Sequence, residues 1–231
     1  MPSRKDTLRA AAACALLAWA GWLHAAEGVT AQQVLVGQSI TLQGGKNAYG
    51  AAVMDGVRTY LDKINAQGGV HGRQVVLRTL DDENQAAKAE ANARQLVEKD
   101  RVFVLFGSVE GGPSTAVMRV AVSHKVPFIG PMAGSPSLRV PHQPMVFPVR
   151  AEHKEEFRVL LEYAKMTGIQ RVGFMRADSD TGQQHLKNVQ ALCQQLGLQL
   201  TADLPFKSDE SDAQIAALAQ RLGSSNTQLV F

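Results

Sequence analysis

A chain of 231 residues, 45% apolar and 19% charged, is long enough for one or two globular domains and is neither low-complexity nor disordered. Its net charge of +3 is inflated at the N-terminus, where Arg4, Lys5 and Arg9 face only Asp6, and removing that +2 leaves about +1 for the remainder. With no Lys/Arg stripe interleaved with aromatics, there is no electrostatic case for a nucleic-acid partner.

The first segment, MPSRKDTLRAAAACALLAWAGWLHAAEG, has a cationic start, an apolar run from Ala10 to Leu23, and small residues Ala25 and Ala26 before the first following acid, Glu27. That layout predicts a cleaved secretory signal peptide over residues 1–26. As a membrane anchor the run is short, since a spanning helix needs ~20 apolar residues. A lipoprotein signal would account for Cys14, but AAAC lacks the usual leucine and comes early in the run. After cleavage Cys193 has no partner for an internal disulfide, and in NVQALCQQLG it reads as a small core residue rather than a nucleophile.

Beyond the leader, strand-type and helix-type periodicity alternate with short breaks, the signature of parallel α/β sheets. Val34–Thr41 reads as a strand. A helix over Tyr49–Ala66 places Val53, Val57, Leu61 and Ile64 on one buried stripe. INAQGGVHG then ends it: Gly68 or Gly69 supplies a left-handed cap, Val70 packs back on the last turn, and Gly72 turns the chain into a strand over Arg73–Leu80. Such a turn lies at the amino edge of the sheet, so the site is expected at the opposite, carboxyl edge. Asp81, Asp82 and Glu83 read as a polar loop capping the next helix at Asn84.

Further units follow: helix 85–99, strand 102–107, helix 114–125, strand 126–130, a Pro/Gly-rich loop, and strand 145–150. After Arg150 the pattern restarts with helix 152–166, strand 171–177, helix 182–196, strand 198–206, helix 212–222 and a strand in TQLVF. No residue-level repeat relates the halves. The expected domains are an α/β lobe over 27–148 and a second α/β lobe over 149–231, with a cleft between them.

No catalytic set assembles, and no enzyme is expected. The six histidines show no His-x-x-x-His spacing and there is no Cys-x-x-Cys pair, so neither a metal site nor a cofactor is predicted. GGKN at Gly44–Asn47 lacks the upstream glycine and the Ser/Thr of a phosphate loop. GSVEG has its serine one place early for a nucleophile elbow.

Taken together, NAYGAAVMDGVRTYLDKINAQGGVHGRQVVL, DDENQAAKAEANARQLVEKDRVFVLFG, VPFIGPMAGSPSLR and RVGFMRADSDTGQQHLKNVQAL resemble the periplasmic solute-binding proteins of ABC importers, of the branched-chain amino-acid type. The resemblance implies a two-lobed type I periplasmic-binding fold, a periplasmic location, and a monomer that captures an amino acid or analogue and delivers it to an ABC transporter permease in the membrane. A sensing protein that signals to a membrane partner would use the same fold, and an exported α/β hydrolase is the enzyme alternative.

The family's ligand residues carry over unevenly. Tyr49 matches the position of a ring placed against the ligand. Where family members bind the ligand carboxylate with a hydroxyl and a helix N-terminus, this chain has Gly111 and Gly112, with Ser114 and Thr115 just beyond; Ser114 also reads as an N-cap. Ala133 and Gly134 stand where relatives carry a threonine for the head group, with Ser135 the nearest substitute. DSDTG matches an Asp-Asp-aromatic-Gly loop with Thr181 in place of the aromatic; Asp180 faces the cleft or caps its helix. Since family members continue past NTQLVF, the chain is expected to be C-terminally truncated, with an incomplete second lobe.

Overall fold

The computed structural model describes residues 26–43, 47–207 and 210–231, so the expected leader up to Ala25 and the first three residues of the GGKN segment lie outside the described residues. Two parallel sheets share the chain, one in the order β2-β1-β3-β4-β5 and one in the order β7-β6-β8.

The first sheet is built from β1 (Gln33–Ile40), β2 (Gln74–Asp81), β3 (Val104–Ser108), β4 (Phe128–Pro131) and β5 (Val146–Phe147). β1 and β2 pair along their whole length, Gln33 with Gln74 through Ile40 with Asp81. The last strand is shorter than its sequence suggests because Pro148 has no N–H to continue a ladder. Helices α2 (Ala86–Arg94), continued by a wider turn over Gln95–Lys99, and α3 (Gly111–His124) cover one face. Their small residues Ala89, Ala93, Ala116 and Ala121 let Leu96, Val117, Val120 and Phe128 close over the strands as the main core.

Helix α1 (Asn47–Ala66) lies on the other face. Its expected stripe is only half-buried; Met54, at 3% exposure, is the residue that enters a core, with Ile40 and Val109. An apolar cavity of about 410 Å³ separates Val57, Tyr60 and Leu61 from Val36, Val75, Leu77, Val104 and Phe106 on the sheet, which is why the stripe is not closed.

The glycine cluster after α1 acts as an αβ turn. Gly69, at φ +73°, donates its N–H to the Ile64 carbonyl at 3.0 Å. His71 and Gly72, at φ +52° and +78°, make a two-residue hairpin closed by paired Val70–Arg73 backbone bonds. Val70 is 45% exposed, so this ladder rather than packing on α1 holds it.

The second sheet comprises β6 (Arg171–Ala177), β7 (Gln199–Phe206) and β8 (Leu229–Val230), with α4 (His153–Met166), α5 (Asp180–Leu196) and α6 (Asp212–Ser224). Leu161, Val172, Phe174, Val189, Leu192 and the buried Cys193 form its core, and Phe174 meets Phe157 and Phe231 with ring centroids 5.4 and 5.2 Å apart. Arg176, 5% exposed, bridges β6 to β7 through two 2.7 Å bonds to Asp203. In each sheet the first strand is flanked by strands reached through crossovers in opposite directions, so both carboxyl edges open a crevice at a switch point.

Candidate functional site

The crevices face each other. Two adjoining cavities, of about 430 and 440 Å³, lie between the sheets and share Ala86, Gly111, Gly112, Ser135 and Thr181 in their walls. One is lined further by Thr115, Arg119, Ser137, Asp180 and Gln184; the other by Asn84, Glu110, Pro113, His153, Ser179, Gly182 and His185. Loops leaving β2, β3 and β4 form one wall, and the ends of α4 and α5 form the other.

Local sequence explains how the walls are held. Gly111-Gly112-Pro113 reads as a loop, but proline is tolerated in a first helical turn because its missing N–H has no intrahelical acceptor there. Helix α3 therefore starts at Gly111, three residues before Ser114. Its N-cap, Glu110, makes no side-chain cap bond, and Gly111 and Gly112 of the first turn line both cavities. Ser114 is not the cap expected of it; buried in the helix, it donates to Ser108 at 2.9 Å. Helix α5 begins at Asp180, and its cap is Ser179, whose Oγ accepts from the Gly182 N–H at 3.1 Å, rather than Asp180. Two helix N-termini thus point their positive ends at one space.

Beneath the first wall runs a buried polar row of Gln38, Ser39, Thr41, Asp82, Ser108 and Ser114. Asp82 is fully buried and accepts from Ser39 Oγ (3.2 Å), Thr41 Oγ1 (2.6 Å) and the Asn84 N–H (3.0 Å). Burial is the largest influence on its carboxyl and raises its pKa. Asp81 holds the Leu42 and Glu83 N–H groups, both at 2.9 Å. These bonds stabilise Glu83 and Asn84 in the left-handed region, at φ +51° and +59°, which presents Asn84 to the cavity. Asn84 is not a helix cap; that position falls to Gln85.

At the root of the cleft, Arg139 donates to the carbonyls of Ala133 (3.2 Å), Ser135 (3.0 Å) and Arg150, and Arg150 makes a two-bond pair with Glu156 at 2.7 and 2.9 Å. His153 shares Glu156 through Nδ1 at 3.1 Å. Burial would raise the Glu156 pKa, but the hydrogen bonds from Arg150 and His153 outweigh it and hold the group below its usual value. His185 meets His153 edge-on at 4.7 Å; burial first, and that second imidazole next, push its pKa down to about 4, so it is neutral at pH 7.

Of the residues expected from sequence, Gly111, Gly112, Thr115, Ser135, Asp180 and Thr181 line the cavities. Ala133 and Gly134 are buried behind that wall, and a Cβ on Gly134 would stand 2.6 Å from His153 Nδ1, so the ring fills the space a side chain would need. Tyr49, 47% exposed in the first turn of α1, is not among the cavity-lining residues. His153, His185, Ser137 and Arg119 are not singled out by the sequence, which reads Asn84 only as a helix cap. Only the departure at Gly134 hinted that something else filled that corner. Among the described residues no three metal-ligating side chains cluster, and no helix is long and apolar enough to cross a membrane.

The family model described as periplasmic binding protein matches residues 33–231. Among curated proteins, the Leu/Ile/Val-binding protein BraC3 of Rhizobium johnstonii is 32% identical over 124 residues, 54% of this chain and 32% of that protein. A Leu/Ile/Val-binding protein homolog of Brucella melitensis is 28% identical over 130 residues, 56% of this chain and 35% of that protein. A substrate-binding periplasmic protein from Ralstonia solanacearum superposes with TM-score 0.77 at 25% identity, covering 86% of this chain and 56% of the other. The substrate-binding protein LivJ of Streptococcus pneumoniae, solved with isoleucine, shares the fold at TM-score 0.74 and 20% identity, again over 86% of this chain and 56% of its own. The chain thus spans little more than half the length of these solved structures and about a third of the curated relatives.

Proposed function

We propose that this chain, which belongs to the periplasmic binding protein family, acts as an extracytoplasmic receptor that captures a small polar solute between its lobes, 27–148 and 149–231. The solute is an amino acid or a related carboxylate or amide, and the receptor passes it to an ABC importer in the membrane. One observation carries the reading: the N-terminal turns of α3 and α5, one from each sheet, converge on a shared cavity of solute size. The first-turn N–H groups at Gly111 and Gly112 suit a carboxylate, to which a helix N-terminus contributes up to ~2 kcal/mol in a partly buried setting. The relatives named for leucine, isoleucine and valine support this ligand class.

Capture proceeds by closure. The solute meets the α3 side first, and the second lobe swings over it about the segment joining β5 to α4, so that Thr181 and Asp180 complete the enclosure. The permease distinguishes this closed form from the open one. A thermal-shift screen over amino acids, amides, short carboxylates and aromatic acids tests the reading, because a ligand that binds only the folded state raises its stability as RT ln(1 + [L]/Kd). A concentration-dependent rise in Tm with one of these classes is expected; no response across all of them contradicts it.

A further inference from the structure

Two imidazoles stand in the wall of the cleft. His153 opens α4, His185 lies in the second turn of α5, their rings meet edge-on at 4.7 Å, and both border the cavity that Gly111 and Gly112 border from the first lobe. Phe157 packs against each of them, its ring centroid 6.2 Å from that of His153 and 5.4 Å from that of His185. The pair therefore has an aromatic neighbour on one side and the solute space on the other.

The hydrogen bonding of the pair is incomplete. A carboxylate only accepts, so the 3.1 Å bond between Glu156 and His153 Nδ1 fixes a proton on that nitrogen. His185 Nε2, by contrast, is buried and has no partner as donor or acceptor. Burial first and the adjacent imidazole second keep His185 neutral at pH 7. The surrounding charges do not reverse this. Glu156, on α4, favours a charged His185, but its oxygens already accept from Arg150 and His153. Arg139 spends its donors on the carbonyls of Ala133, Ser135 and Arg150, and Arg176 of β6 is paired with Asp203. Glu110, just before α3, borders the same cavity, and Asp180, on α5 itself, borders the adjoining one. A neutral imidazole in such a setting gains a proton when a further negative charge is brought against it.

We propose that His185 takes up a proton from solvent when an anionic solute enters the cleft, so that anion and proton are captured together and the receptor holds its solute more tightly as the medium turns acid. This rests on the cleft being the solute site, and it adds the charge the solute carries and the way pH regulates its retention. Linkage sets the sign: a bound anion favours the imidazolium, and by reciprocity the proton strengthens anion binding by the same factor. With the ring titrating at about 4 in the empty protein, an anion that raises its proton affinity about a hundredfold binds roughly ninefold tighter at pH 5 than at pH 7.

The test is calorimetric titration of the purified protein with benzoate and with the common amino acids that have neutral side chains, whose carboxylates stay largely ionised at both pH values. Each is titrated at pH 7 and at pH 5, in two buffers of different ionisation enthalpy, so that protons taken up with the solute appear as a buffer-dependent heat. The expected result, for an acid that binds, is a Kd at least fivefold lower at pH 5, uptake of more than half a proton per solute at that pH, and loss of both signatures in His185→Gln. Imidazole NMR of the wild type gives a reading that does not depend on the variant folding: the His185 ring should titrate at higher pH in the solute-loaded protein than in the empty one. Equal affinity at the two pH values, a pH dependence that survives in His185→Gln, or a His185 titration unmoved by solute overturns the inference while leaving the cleft as the site. No binding of any of these acids overturns the solute-binding reading and this inference with it.

Discussion

His185 makes the fold sensitive to acid in a way that can be isolated by one substitution. Its ring is enclosed by His153 and Phe157, its Nε2 is buried without a hydrogen-bond partner, and its pKa falls from 6.5 to about 4. A histidine whose folded pKa is depressed binds a proton more readily in the unfolded chain, so the stability it contributes is present above pH 6.5 and is lost as pH falls from there toward 4. Between pH 7 and pH 5 the unfolded state takes up most of one proton and the native state very little, which removes ~2 kcal/mol of unfolding free energy. His185→Gln has no such proton to take up. Urea denaturation of both proteins at pH 7 and pH 5 should therefore show the wild type losing ~2 kcal/mol more than the variant, a large part of the stability of an ordinary domain. Parallel loss in the two proteins would refute the argument and show that the ring protonates in place.

Two further perturbations probe the framework under the cleft. Asp82→Ala leaves two hydroxyls and the Asn84 N–H without their buried acceptor and should lower stability by ~2–4 kcal/mol in chemical denaturation, with faster amide exchange at Glu83 and Asn84; unchanged exchange there would show the turn holds itself. Gly69→Ala should destabilise by at least ~2 kcal/mol, because its Cβ would lie 1.9 Å from the Arg73 carbonyl oxygen in a left-handed residue; an unshifted urea midpoint would remove Gly69 as a structural requirement.

Periodicity made the order of strands and helices legible, and the glycines after Ile64 marked their turn because positive φ is a property of a single residue. The start of α3 was hidden by Gly111-Gly112-Pro113, whose residues speak for a loop although their geometry suits a first turn. On α1 the apolar spacing showed which residues face the sheet but not how closely they approach it. In the cleft, periodicity pointed to the loops at the carboxyl edge of the sheet, and the family resemblance picked out Gly111, Gly112 and Ser135 within them. His153 and His185 could not be placed either way. They meet only because α4 and α5 pack side by side, and no spacing along the chain encodes that contact.

The central claim, that a small solute is held between the two sheets, is tested most directly by filling that space. Beyond its own helix, a Cβ on Gly112 meets only Ala86 Cβ, at 4.0 Å, and Gly112 lines both cavities, so Gly112→Trp has room for its first carbon and directs its ring into the volume the solute would take. Calorimetric titration with the solute that gives the largest thermal shift should show one-to-one binding to the wild type and none to Gly112→Trp, whose unfolding transition is retained. Undiminished affinity in the tryptophan variant would place the solute elsewhere and contradict the account.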